Sequence, residues 1–390
     1  MRMTDSHLVR TENEEGHGGN AIKRPHPWAG MGEGGDGRTQ TYADYLNLHE
    51  MLELQGGDDL SNDQLHFVIV HQSFELWFKL IISELRCVRD VLDQTIVPEA
   101  EVPKAVHHME RVTEIFRLMA HQWKVMGTLT PQDFLAFRDG LGTASGFESF
   151  QMRELEIMLG LPDSDRVAEM DPLAHFRKLA ERSERDAEIL AKLEATAAAP
   201  SLATSLKRWL SRTPIQGSLV GDEGDDAVVS GFVEAYLAAQ GRLADDAMER
   251  LATQGVQDMD AVQARFEGAA EGARDFLMPG GEADRACVGL LFIESYRELP
   301  LLAWPRTLID AVVGLEEAML LWRSTHARMV ERMIGRRVGT GGSSGVDYLD
   351  ATTRYRVFGD LWTVRTLLIK QEALPPLENP HFYGFAGDSA

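Results

Sequence analysis

Two histidines sit on otherwise apolar helical stripes. His71 falls on the line Phe67, His71, Phe74, Phe78, Ile81, and His326 on Met319, Trp322, His326, Met329, Met333. Both lines keep the three-and-four spacing of a helix face that packs inward. Burying an imidazole costs free energy unless a partner satisfies it. For either histidine alone, a backbone carbonyl or a helical neighbour is partner enough, and Glu75 lies one turn after His71. Two such sites, one early and one late, raise a second reading in which both face a shared cofactor. An imidazole presented in this way is a common axial ligand of haem iron. Spacing leaves both readings open.

Arg138 is the second residue type with chemistry to offer, because it stands among Phe134, Phe137 and Phe147 in FLAFRDGLGTASGFESF. An arginine in an apolar segment pairs with a carboxylate, and Asp139, another side chain or a ligand each satisfy that need. The run GTGGSSG at 339–345 follows a long helical pattern. Its glycines permit positive φ and its hydroxyls supply donors, which suits a helix-ending linker or a loop over a polar ligand. It lacks GK[ST] and does not follow a strand, so it is not a phosphate loop. His107 and His108 are adjacent and project to different helix faces, which makes them structural or surface residues. No HExxH or CxxC occurs to support a zinc site.

The elements that must position these residues read as helices almost throughout. Apolar three-and-four spacing runs over 63–93, 104–127 and 130–160, the last opening with Thr130 and Pro131. Further helical stretches cover 163–196, 202–212, 226–277, 283–298 and 306–336, with turns at Pro200 and at MPGGEAD. No convincing period-2 alternation appears, so the fold class expected is all-α. Residues 1–39 are polar and Gly-rich and read as a mobile arm, followed by a single helical domain over 40–380. Within that domain, 161–282 has no role assignable from its residues.

Composition narrows the function classes. Hydrophobic residues make up 44% and charged residues 26%, an ordinary globular balance. The formal net charge of -22 argues against nucleic acid or an anionic membrane as partner, since both require a basic surface. Cys87 and Cys287 are the two cysteines, too few for a disulfide scaffold, and the N-terminus lacks the apolar stretch of a signal peptide. No run approaches 18 uncharged apolar residues, so no membrane span is expected and a cytoplasmic location is the natural reading.

Taken together, TYADYLNLHEML, HFVIVHQSFELWFKLIISELRCVRD, DFLAFRDGLGTASGFESFQMRELE, LLWRSTHARMVERMIG and GTGGSSGVDYLDAT resemble the tryptophan 2,3-dioxygenase family, in the family's order and over residues 41 to 370. HQxxELWFK, FRxxLxxxSGF and GTGGSSG are jointly specific, although the glycine loop alone would be weak. The resemblance implies a helical bundle enclosing haem b, with His326 as the proximal iron ligand. It implies that His71 meets the substrate indole N–H and that Phe67 forms one wall of the indole pocket. Arg138 matches the clamp on the substrate carboxylate, and Thr340 the residue bonding the substrate ammonium and carboxylate. Tyr42 and Tyr45 match aromatic residues that help line a neighbouring subunit's pocket, while Ala144, Ser145 and Gly146 match the segment over the distal face. Phe134 stands at a substrate-contacting position where some bacterial members have tyrosine, so one hydroxyl near the ammonium is missing.

The implied activity is insertion of both atoms of O2 into the indole C2–C3 bond of L-tryptophan, giving N-formyl-L-kynurenine, in a homotetramer. A haem-dependent monooxygenase of a substituted indole or another aromatic amino acid would keep the same residues. A non-catalytic haem or indole sensor is a more distant alternative, and a plain helical interaction protein more distant still.

Overall fold

The computed structural model describes residues 41–57, 59–142, 146–167, 171–337 and 345–384. The expected arm at 1–39 therefore lies outside the described residues. The chain divides into two compact units at Leu60 and Ser61. In the first, two one-turn helices, α1 (Tyr42–Leu46) and α2 (Leu48–Leu52), are joined by Asn47 in a left-handed conformation. A capping box between Thr41 and Asp44 starts α1.

The second unit is built on three long helices, α3 (Asn62–Leu92), α4 (Val102–Met126) and α13 (Ala303–Ile334), with α4 packed against both others. Ser61 and Gln64 form a capping box at the head of α3, which fixes where the apolar stripe begins. From there Phe74, Phe78, Ile81, Leu85, Val88 and Leu92 are buried in register. Each such side chain contributes about 1.5–3 kcal/mol of transfer free energy, so the stripe and not helix propensity decides the structure. By length and composition α3 is also apolar enough to cross a membrane. Part of its apolar surface goes into this core and the cavity described below, while Leu65, Ile69 and Leu76 stay exposed.

Shorter helices close the bundle: α5 (Pro131–Arg138), α6 (Phe150–Leu159), α9 (Leu202–Leu210), α12 (Arg285–Ser295), α14 (Gly345–Thr352) and α15 (Gly359–Leu367). Between α6 and α9, α7 (Ala174–Ala180) and α8 (Glu184–Ala198) pack around a satellite core of Leu173, Phe176 and Leu193. A long pair, α10 (Asp225–Thr253) and α11 (Met259–Leu277), precedes α12. Among the described residues no strand forms, only an isolated bridge between Ile215 and Ser218, as an all-α fold requires.

Two helical expectations need correction. The stretch 130–160 is not one helix: it breaks after Arg138 into a 3-10 turn at Asp139–Leu141 and resumes through Gly146–Glu148 into α6. Gly142 holds φ at 59°, which ends the first segment. The stretch 163–196 is likewise two helices, α7 and α8, with Ser183 capping the second. The region 161–282, to which the sequence assigned no role, contributes to the main core. Leu202, Leu206, Phe232, Val233 and Tyr236 belong to the main core, and the Tyr236 hydroxyl donates to the Leu367 carbonyl at 3.1 Å while accepting from the Ile369 amide.

Candidate active site

A cavity of about 340 Å³ opens between α3, α4, α5, α6, α13 and α14, within the size range of small-molecule sites. Phe67, His71, Phe74 and Phe78 reach it from α3, Trp123 from α4, Phe134 and Arg138 from α5, and Trp322, Arg323 and His326 from α13. The two histidines singled out by their spacing, far apart in the chain, thus face one space. Apolar periodicity does this: α3 and α13 each turn an apolar face inward, and each carries its imidazole on that face.

His71 is satisfied locally. Its Nδ1 lies 2.8 Å from the Phe67 carbonyl. A carbonyl oxygen only accepts, so Nδ1 carries the proton and Nε2 keeps a bare lone pair. The expected alternative, Glu75, does not serve: its carboxylate accepts from Ser149 Oγ at 2.7 Å and from Gln151 Nε2 at 2.8 Å. Much of the His71 surface is open, and it lines the cavity. Burial accordingly lowers its pKa, offset only in part by the Phe67 carbonyl and Glu75. Phe67 lies against His71 with ring centroids 4.1 Å apart, and Phe134 lies 5.9 Å from Phe67. The result is an apolar wall beside a hydrogen-bond acceptor.

His326 is held differently. Trp123 stacks on it at 4.2 Å with the ring planes 2° apart, and Trp322 lies 5.7 Å away. Burial pushes its pKa down to about 3, aided by His71 and the Arg323 charge. At neutral pH it is an uncharged imidazole, the form that binds a metal. Among the described residues nothing hydrogen-bonds its ring nitrogens. A neutral, unpartnered imidazole on the wall of an aromatic-lined cavity fits the axial ligation of a planar tetrapyrrole.

Arg138 lines the same cavity, as does Gly146. Ala144, Ser145 and Thr340 lie outside the described residues, as does the stretch 338–344 that holds most of the glycine loop. Tyr42 is 75% exposed and Tyr45 half-buried. His107 and His108 are structural: His108 pairs with Glu84, and His107 Nε2 lies 3.0 Å from Arg111.

Several site residues carried no sequence signal. Glu156 is buried, and its carboxylate accepts from Arg153 at 2.6 Å, Arg166 at 2.8 Å and Arg323 at 2.9 Å. Glu316, also buried, accepts from the amides of Val357 and Phe358 and from Trp362 Nε1, tying the chain after α14 back to α13. Periodicity on α4 marks Trp123 as a core residue but gives no hint that it stacks on His326.

A sequence model of the family described as tryptophan 2,3-dioxygenase matches residues 29–368. The chain belongs to the tryptophan 2,3-dioxygenase family. A tryptophan 2,3-dioxygenase of Sorangium cellulosum is 42% identical over 89% of this chain and 88% of its own length. The tryptophan 2,3-dioxygenase 2 of Ralstonia nicotianae is 42% identical over 90% of this chain and 99% of its own. A tryptophan 2,3-dioxygenase-like protein of Xanthomonas campestris is 46% identical, and 98% of it aligns with only 66% of this chain. Part of this chain therefore extends beyond what that shorter member of the family matches.

Proposed function

We propose that this protein is a haem-dependent tryptophan 2,3-dioxygenase that adds both atoms of O2 across the indole C2–C3 bond of L-tryptophan, yielding N-formyl-L-kynurenine. The observation that carries this reading is the His71 tautomer. With Nδ1–H committed to Phe67, Nε2 presents an acceptor beside the Phe67 and Phe134 rings, which is what an indole N–H over a flat apolar wall requires. Arg138, at the same cavity, takes the amino-acid carboxylate through a guanidinium fork. Phe134 contributes surface but no hydroxyl, so the ammonium falls to other groups, among them Thr340.

His326 would hold haem b, and ferrous haem would supply the activation of O2. The protein's own part is positioning: His71 orients the indole N–H, Phe67 and Phe134 clamp the ring, Arg138 fixes the polar end, and Gly146 lines the same cavity. Bringing substrate and oxidant together in one desolvated cavity supplies much of the rate. Neutral His71, with its proton on Nδ1, orients the substrate by accepting the indole N–H at Nε2.

The chain assembles as a homotetramer in the cytoplasm. Leu65, Ile69 and Leu76 expose an apolar stripe on α3, and Tyr42 is largely uncovered, which supports burial against other copies. In that assembly Tyr42 and Tyr45 line a neighbour's pocket.

Reduced, haem-loaded protein turned over with L-tryptophan under labelled O2 tests the reaction. A product heavier by two labelled atoms supports it, one labelled atom points to a monooxygenase, and bound haem without product points to a sensor. His326→Ala is expected to abolish haem retention, read from the absorbance ratio of the Soret band to protein. Normal retention with an unaltered Soret band would refute the axial role.

A further inference from the structure

A buried carboxylate outside the cavity gathers donors from one short stretch of chain. Glu316 is buried on α13 and does not line the cavity. Its Oε1 accepts from the Val357 amide at 2.6 Å and the Phe358 amide at 3.1 Å, and its Oε2 accepts from Trp362 Nε1. All three groups are donors, so the place suits an ionised carboxylate, which only accepts. Glutamine would turn its NH2 to one of them and leave two donors face to face.

The stretch held in this way follows α14 directly. α14 packs on α13 and turns Gly345, Tyr348, Leu349 and Thr352 to the cavity. Its contacts bracket His326 along α13: Arg328 pairs with Asp350, and Arg323 lays its guanidinium over the Tyr355 ring just past α14, at 4.9 Å. The ion pairs from α14 to α13, Arg328 with Asp350 and Arg336 with Asp347, have side-chain exposures of 38% to 61%, and exposed pairs hold little. The buried ties lie beyond its C-terminal end, at Glu316 and at Tyr355, whose hydroxyl accepts from the Val167 amide at 3.0 Å. Glu316 stands ten residues before His326, about 15 Å along the helix axis, so it reaches that site through α14 and not by contact. We propose that Glu316 is a positioning residue that holds α14 as the cavity wall beside His326, and that this wall governs release of the ligand held there. The inference rests on the proposed haem reading for the ligand and adds to it the device that retains it.

Full-length, haem-loaded protein is compared as wild type, Glu316→Gln, Trp362→Phe and the double variant. Amide exchange over 345–352 reads opening of the wall, and haem transfer to an excess of apoglobin reads release. In Glu316→Gln both are expected to accelerate by about tenfold or more, while exchange along the buried face of α4 keeps its wild-type rate. In the Trp362→Phe background no indole N–H meets the glutamine amide, so the same substitution should accelerate both by clearly less. Equal acceleration in α4 and α14 would report general destabilisation and overturn the positioning role. Wild-type exchange over 345–352 in Glu316→Gln overturns the wall, and faster exchange with unchanged haem transfer overturns its control of release. An equal effect of Glu316→Gln in both backgrounds overturns the argument from acceptors. Failure of the wild type to bind haem overturns the haem reading, and the exchange pattern then still decides whether Glu316 holds α14.

Discussion

Replacing Glu156 by alanine is the most informative stability test of the cavity wall. Its carboxylate is buried and receives charge-assisted hydrogen bonds of 2.6, 2.8 and 2.9 Å from Arg153, Arg166 and Arg323. Removing it takes the shared carboxylate from Arg153 and Arg323 on the cavity wall and leaves Arg166 with Asp163, at an expected cost of about 3–5 kcal/mol. An exposed pair would lose only about 0–1 kcal/mol, so the two cases are well separated. Urea unfolding followed by tryptophan fluorescence reads the difference as a lowered midpoint. Glu156→Gln keeps the volume and one acceptor and should lose less. Burial alone would raise the Glu156 pKa, but Arg323, Arg153 and Arg166 together hold it below the usual glutamate range. With the folded value below the unfolded one, the ionised form stabilises the fold above about pH 4.3. That contribution fades as pH falls through the lowered folded value. The gap between wild type and Glu156→Gln should therefore close in acid. A loss below about 1 kcal/mol for Glu156→Ala, or a gap that widens in acid, would refute the reasoning.

Three further outcomes follow from the same geometry. Gly289→Ala places a methyl group against the Leu210 carbonyl and 2.9 Å from Thr213 Oγ1, so α12 must shift from α9 at about 1–3 kcal/mol; an unchanged urea midpoint would contradict this. Glu75→Ala frees Ser149 and leaves Gln151 only its bond to the residue 75 backbone carbonyl, and amide exchange over 149–152 should accelerate in line with a loss of about 1–3 kcal/mol. Exchange at the wild-type rate there would show that Glu75 does not anchor the segment. Arg138→Ala should weaken L-tryptophan binding by about 1.5–3 kcal/mol while leaving indole, which has no carboxylate, unaffected; equal weakening of both would indicate a packing role.

What was legible in the sequence was what period 3.6 encodes. The stripes through Phe67, Phe74, Phe78 and Ile81, and through Met319, Trp322 and Met333, mark buried or cavity-lining faces, and the histidines on them meet at one cavity. Phe134 and Arg138 reach it too, because α5 presents both to the same side as Phe67. The break between α5 and α6 was misread because apolar spacing continued across it, although Gly140 and Gly142 were the better guide. Glu156 and Arg323 were invisible for a different reason: their partnership spans 167 residues, and no local pattern records so distant a charge pair. The Trp123–His326 stack is likewise a product of how α4 meets α13, not of either helix by itself.

That stack explains how His326 can be oriented without a hydrogen-bonding partner among the described residues. A metal-binding histidine is commonly steered by a carboxylate or carbonyl on its second nitrogen, which also makes the ring more basic. Here the Trp123 indole, parallel within 2°, and the neighbouring Trp322 hold the imidazole plane by contact alone. Orientation is obtained without the added basicity that a carboxylate would confer. Charge on the cavity wall is carried by Glu75, Arg138, Arg153, Glu156 and Arg323, and Arg323 adds to the burial that keeps His326 neutral. Trp123 thus couples α4 packing to ligand geometry. Loss of its ring would leave His326 neutral and buried but free to rotate, weakening ligation without removing the ligand.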